Sequence, residues 1–283
     1  MKKKIALIFF ISAIIAPTVL GLTPIGPPRS IMQEGQSAFS LEYFNNKMNL
    51  QADGSATETT LPPAPSQTFY FSKEYKIEDL QTDMFMARFD SGIWENWDVF
   101  LRLGASGAKG DITEKTASGA TGDKYKDFDG GLGFAWGLGS RVTFYEEDDI
   151  TWGGLFQVTW ANPDGSSIID RNDTNFSGDA DIKYWEVQLA VGPTLELETV
   201  RLYGGPFLHF VNGDFDLSGS TIDTSTIPPI SRAIKASHDI KEESQLGGFA
   251  GAQWYLGNNT SMFTEIQFTG DAWGIGLGTT WKF

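Results

Sequence analysis

Along most of this chain apolar residues return at every second position, the period of a pleated strand and not of a helix. From Trp97 the set Trp97, Val99, Leu101, Leu103 and Ala105 alternates with Asp98, Phe100, Arg102, Gly104 and Ser106. From Leu132 the set Leu132, Phe134, Trp136 and Leu138 alternates with Gly133, Ala135, Gly137 and Gly139, and Trp152, Phe156, Val158 and Trp160 repeat the pattern. Trp185, Val187, Leu189 and Val191 do so again, and the chain closes on Trp273, Ile275, Leu277, Thr279, Trp281 and Phe283 against Gly274, Gly276 and Gly278. Ten such segments are predicted, at 37–50, 79–90, 97–106, 129–144, 150–161, 182–195, 200–212, 245–256, 261–269 and 272–283. The first is irregular: Phe39, Leu41 and Tyr43 share one parity and Met48 and Leu50 the other, which predicts a bulge between them.

The connections alternate in length. Around 91–96, 145–149, 196–199 and 257–260 they are short, and around 52–78, 107–128, 162–181 and 213–244 they are long and polar. The last hairpin, at Gly270 and Asp271, is tight where a long one is due. Long loops at one end and short turns at the other define an all-β, closed antiparallel transmembrane β-barrel of about ten strands, with both termini at the short-turn end. Eight or twelve strands are the alternatives, since 68–77 (TFYFSKEYKI) either extends a strand above the membrane or forms another.

A soluble barrel alternates too, with its greasy side inward. Two features place the greasy side outward. The other face is crowded with glycine, as the lumen of a narrow barrel requires. Tryptophans lie on the apolar parity near strand ends, at Trp97, Trp152, Trp160, Trp185, Trp254, Trp273 and Trp281, where the two interfaces of a bilayer select amphipathic rings. In hydrocarbon every strand edge must pair, so the last strand must close on the first.

The start of the chain fits this destination. Lys2, Lys3 and Lys4 precede an apolar run from Ile5 to Ala16 and then small residues, the layout of a secretory signal over 1–21. Residues 22–36 (with TPIGPP) are read as a short periplasmic segment, and 37–283 as the barrel. Removing 1–21 takes three lysines and no acid from 21 basic and 36 acidic residues, leaving a formal charge of −18. That balance offers no basic footprint for nucleic acid. With no cysteine, disulfides, thiolate metal sites and a cysteine nucleophile are excluded.

The ending from Trp273 to Phe283 resembles the C-terminal signature of bacterial outer-membrane β-barrel proteins. The resemblance implies a bacterial outer-membrane location, contact with outer-membrane lipid, and reading of Phe283 by the barrel-assembly machinery. Thr279 departs from the all-hydrophobic series. A ten-stranded architecture also resembles that of the omptin proteases, which carry acidic and histidine residues at the rim. Here Asp214 and Asp216 lie near His209, and Asp239 follows His238, but the Asp-x-His pair of that group is missing.

The parity places Arg88, Asp98, Arg102, Arg141, Glu186, Arg201 and Glu265, with Tyr203 and His209, in the lumen. They read as a mutually paired plug, with a solute-selective pore as the rival. Asp164, Asp170, Asp173, Asp179 and Asp181 form an acidic stretch without EF-hand spacing, read as a solvated loop. The expectation is a non-enzymatic barrel with a narrow, plugged lumen, no cofactor or metal, and a structural or surface-interaction role whose partner the sequence does not identify. A narrow channel for small solutes is the alternative and an omptin-like hydrolase the remote one.

Overall fold

The computed structural model describes residues 22–115, 121–170, 176–223, 228–242 and 244–283. The segment read as a signal lies outside the described residues. Twelve strands are present among those described: β1 (Ser37–Thr60), β2 (Thr68–Trp94), β3 (Trp97–Lys115), β4 (Thr121–Glu147), β5 (Ile150–Asp164), β6 (Ser166–Asp170), β7 (Phe176–Glu196), β8 (Val200–Asp223), β9 (Ile230–Lys241), β10 (Leu246–Tyr255), β11 (Thr260–Phe268) and β12 (Ala272–Lys282). All pairings are antiparallel. β1 to β5, β7, β8 and β10 to β12 form a ring of ten, sealed where Phe39 faces Trp281 and Tyr43 faces Leu277. The backbones of Ser37 and Phe283 exchange hydrogen bonds of 2.9 and 3.2 Å, so the terminal strand is paired to its last residue.

Ten strands agree with the ten predicted segments, but much of what reads as long loop is strand. β1 and β2 continue together to Thr59 and Thr68, and β8 pairs with β9 from Asn212 and Lys241 to Asp223 and Ile230. Because β10, β11 and β12 are short, β9 takes their place between β8 and β1 above the Gly270 turn. The acidic stretch is likewise a hairpin, with β6 on β7.

The inner face changes character along the axis. Near the short turns it carries Glu42, Arg88, Asp90, Asp98, Arg102 and Arg141, all buried. Further up it carries Met48, Leu50, Tyr75, Ile77, Leu80, Ile112, Tyr184, Phe215 and Ile240, also buried. The physical reason is the solvent outside. Where the exterior meets lipid, apolar residues point out; where it meets water, the extension must bury them inside, as a soluble barrel does.

This accounts for the parity change in β1, where the predicted bulge is absent. Tyr43 points outward while Phe44 and Met48 point inward, and β1 faces β12 without a break from Ala38 to Met48. The extra residue is in β2 instead, where Met48 faces Leu80 but Leu50 faces Ile77. Asp79 lies in that bulge at φ 55°, its N–H held by Asn49 Oδ1 at 3.0 Å.

Candidate functional site: a lumen filled by the N-terminal segment

The segment preceding β1 does not hang free below the barrel. Leu22, Thr23, Ile25, Ser30, Ile31 and Met32 are all buried, threaded into the lumen from the short-turn end. The segment has no regular structure, so its backbone groups need partners on the wall. At one end Asp98 Oδ2 accepts from the N–H groups of Ile31 (2.7 Å) and Met32 (3.3 Å) and from Ser30 Oγ (3.3 Å). Deeper in, Glu265 accepts from Ile25 N–H (2.8 Å) through one oxygen and Gly26 N–H (2.7 Å) through the other. Arg102 Nη2 donates to the Pro24 carbonyl at 2.8 Å. Gln157 and Gln267 donate to the Thr23 carbonyl at 3.1 and 2.9 Å, and Gln188 donates to Gln267 at 3.1 Å. Lys282 Nζ donates to the Ile31 carbonyl at 2.6 Å.

The glycines explain how the segment fits. A Cβ on Gly153 would lie 2.7 Å from the Pro28 carbonyl oxygen, and one on Gly274 would lie 3.2 Å from that of Leu22. The wall is hollowed where the segment passes.

Arg88, Asp98, Arg102 and Arg141 come together in one network. Arg88 Nε meets Asp90 at 2.9 Å, Arg102 Nε meets Glu42 at 2.9 Å and Arg141 Nε meets Asp98 at 2.8 Å. Arg88 also pairs with Glu42 and Arg141 with Asp90. All three guanidiniums lie within 5.5 Å of the Phe100 ring centroid. Three acids against three arginines give a neutral cluster, the condition under which buried charge is tolerated. Arg201 stands apart, on Glu196 at 2.5 Å and Gln253 at 2.9 Å. Glu186 is apart as well, 3.2 Å from His209, whose other ring nitrogen is 2.7 Å from Glu242. Glu42, Asp90, Gln157, Gln188 and Gln267 escaped sequence reasoning although each sits on the inward parity of its strand. Residues 22–32 escaped it because an irregular segment carries no period.

Two groups at the short-turn rim have shifted acidities. Burial pushes the Glu196 carboxyl up, but Arg201 and Arg29 outweigh it and hold it below the usual carboxylate range. Burial, then Arg201, Arg141 and Arg29, push Lys282 down to about 8.

The acids weighed for hydrolysis are not assembled. His209 points into the lumen, whereas Asp214 and Asp216 on the same strand point outward. His238 is buried against Tyr75, its ring 4.8 Å away, while Asp239 faces solvent. Among the described residues no group of three or more His, Asp or Glu is arranged to hold a metal. Of the acidic stretch, Asp173 lies outside the described residues, and Asp181 is 3.1 Å from Lys183.

The outer face defines the class. Leu41, Phe85, Phe89, Leu101, Leu103, Leu132, Phe134, Leu138, Phe156, Leu189, Ile275 and Leu277 are exposed around the ring. In water such a belt would be untenable. Trp97, Trp152, Trp254 and Trp281, with Trp94, mark its short-turn margin. Trp160, Trp185 and Trp273 mark the other, where Trp136, Trp160 and Trp185 face one another across three neighbouring strands. Trp152 and Trp160 are about 27 Å apart along the strand, or roughly 20 Å along the axis of a tilted barrel, a span that suits a hydrocarbon layer. The protein is a closed transmembrane β-barrel, with its apolar belt turned to lipid.

No protein-family model matches the chain, and no curated protein sequence does. Among solved structures it is similar to the outer membrane protease OmpT from Escherichia coli, with TM-score 0.45 and 11% identity over 88% of this chain and 97% of that one. It is similar to Ail, the attachment invasion locus protein of Yersinia pestis, with TM-score 0.28 and 15% identity over 89% and 100%. The translocator domain of autotransporter NalP from Neisseria meningitidis gives 0.41 and 12% over 89% and 90%. At these scores the likeness carries no argument about activity.

Proposed function

We propose that this protein is a non-enzymatic outer-membrane barrel, sealed by its own N-terminal segment, that anchors a β-structured surface extension for interaction outside the cell. The observation that carries this reading is the seat of residues 22–32, where Asp98 and Glu265 between them hold four backbone N–H groups inside the lumen. A solute path would have to displace these bonds. The apolar filling of the extension supports the second half, since a merely tethering loop needs no core of its own. The signal over 1–21 delivers the chain across the inner membrane, and the barrel-assembly machinery reads Phe283.

Conductance in planar bilayers tests the seal. The mature chain from residue 22 is expected to show no steady openings, and a chain lacking 22–36 is expected to show them. Steady, ion-selective openings from the intact mature chain would favour the narrow channel instead.

A further inference from the structure

The β1–β2 hairpin stands higher than its neighbour. β2 pairs with β1 from Thr68 onward, but β3 joins its other side only at Glu74, opposite Lys115. Residues 68–72 therefore present a strand edge with no partner among the described residues, about 17 Å long. Both faces of this stretch are open as well. Phe69 is 44%, Tyr70 81% and Phe71 40% exposed, and the Phe69 and Phe71 rings lie 6.4 Å apart on one face. An uncharged, aromatic, unpaired edge is what other β proteins cover or charge to avoid association. Here, on a chain whose mature form carries a formal charge of −18, no described residue covers it.

The stretch reads Thr68-Phe69-Tyr70-Phe71-Ser72, and it is self-complementary. Laid antiparallel on a second copy and centred on Tyr70, it puts Thr68 opposite Ser72, Phe69 opposite Phe71 and Tyr70 opposite its own counterpart. Aromatic meets aromatic and hydroxyl meets hydroxyl, the cross-strand pairs that stabilise antiparallel sheets. The register uses the free edge and stops short of Glu74, where β3 takes over. Direction fixes the setting. In every copy within one membrane β2 runs from the tip towards the bilayer, so two such copies can meet only in parallel. Antiparallel pairing needs copies from two facing membranes.

We infer that Thr68–Ser72 is a homotypic adhesion edge, joining this protein to a second copy on an apposed membrane by β-strand addition across a two-fold axis. This deepens the surface-interaction reading and rests on it; a silent adhesion assay would leave the sealed lumen, tested by conductance, untouched. A five-residue pair is weak alone, and many copies between two membranes supply the avidity.

The test is clustering of phosphatidylcholine vesicles carrying the reconstituted mature chain, followed by light scattering, with folding of every variant checked by heat-modifiable gel migration. Wild-type vesicles are expected to cluster with one another and not with protein-free vesicles. Because position 70 faces itself, vesicles of Tyr70→Lys alone or Tyr70→Asp alone are expected to stay dispersed, while a mixture of the two clusters again. Dispersed wild-type vesicles, clustering with protein-free vesicles, undiminished clustering of Tyr70→Lys, or failure of the mixture to recover would each overturn the proposal.

Discussion

Glu265→Gln is the sharpest probe of the seated segment. The carboxyl group accepts Ile25 N–H at 2.8 Å and Gly26 N–H at 2.7 Å through separate oxygens. Glutamine fills the same volume but offers one oxygen and one NH2, so one backbone N–H faces a donor. That orphaned group costs about 1–3 kcal/mol. The seated state should lose about 1–3 kcal/mol, which is roughly 5- to 140-fold in the unseated population. The bonds from Asp98, Arg102 and Gln157 remain, so the segment stays seated most of the time. The protein has no cysteine, so a single Thr23→Cys substitution reports cleanly. In that background the maleimide labelling rate tracks the unseated population when opening is fast and reversible. Labelling should accelerate by roughly 5- to 140-fold on adding Glu265→Gln. A rate unchanged within about 3-fold, well under 1 kcal/mol, would refute the claim that this carboxylate anchors the segment.

Two further outcomes follow from the same seat. Gly153→Val places a Cβ 2.7 Å from the Pro28 carbonyl oxygen, with rigid backbone on both sides, so it should unseat the segment and give steady single-channel conductance in a folded barrel. At the rim, Glu196 tethers Arg29, and its carboxyl is held below the ordinary range in the folded protein. A depressed value means the tether is at full strength above about pH 4, the ordinary carboxylate value, and is lost as pH falls through the lower folded value. The Glu196-dependent part of labelling at position 23, read as the difference between the wild-type and Glu196→Gln backgrounds, should therefore be flat through neutral and mildly acid pH and shrink below about pH 4.

How legible the molecule is from its sequence depends on what surrounds each part. The membrane-spanning strands are plain, because lipid outside and a polar lumen inside impose strict alternation, as at Trp97 to Ala105. The extension reads as loop for a physical reason: in water its outer positions are mostly Ser, Thr, Asp and Lys, as at Asp53, Ser55, Asp214, Asp216, Lys235 and Ser237, and most of its apolar residues have moved to the other face. Met48 and Leu50 carried that information and pointed to a bulge instead. The lumen charges were legible by parity, yet parity does not say who pairs with whom. Arg88, Arg102 and Arg141 converge on Phe100 only because β2, β3 and β4 are adjacent. The N-terminal segment was legible least, since its Pro-rich stretch has no period and is held by wall residues up to 251 positions away in sequence.

The central claim is that residues 22–32 lie within the barrel, and a crosslink tests it most directly. Thr23 and Thr159 hydroxyl oxygens are 3.3 Å apart across the lumen, and those of Ser40 and Thr280 are 2.9 Å apart across the β1–β12 seam. Thr23→Cys with Thr159→Cys, oxidised in native outer membranes, should form a disulfide about as completely as the Ser40→Cys and Thr280→Cys control pair. A control pair that closes while the Thr23–Thr159 pair stays reduced would place the segment outside the lumen and contradict the account.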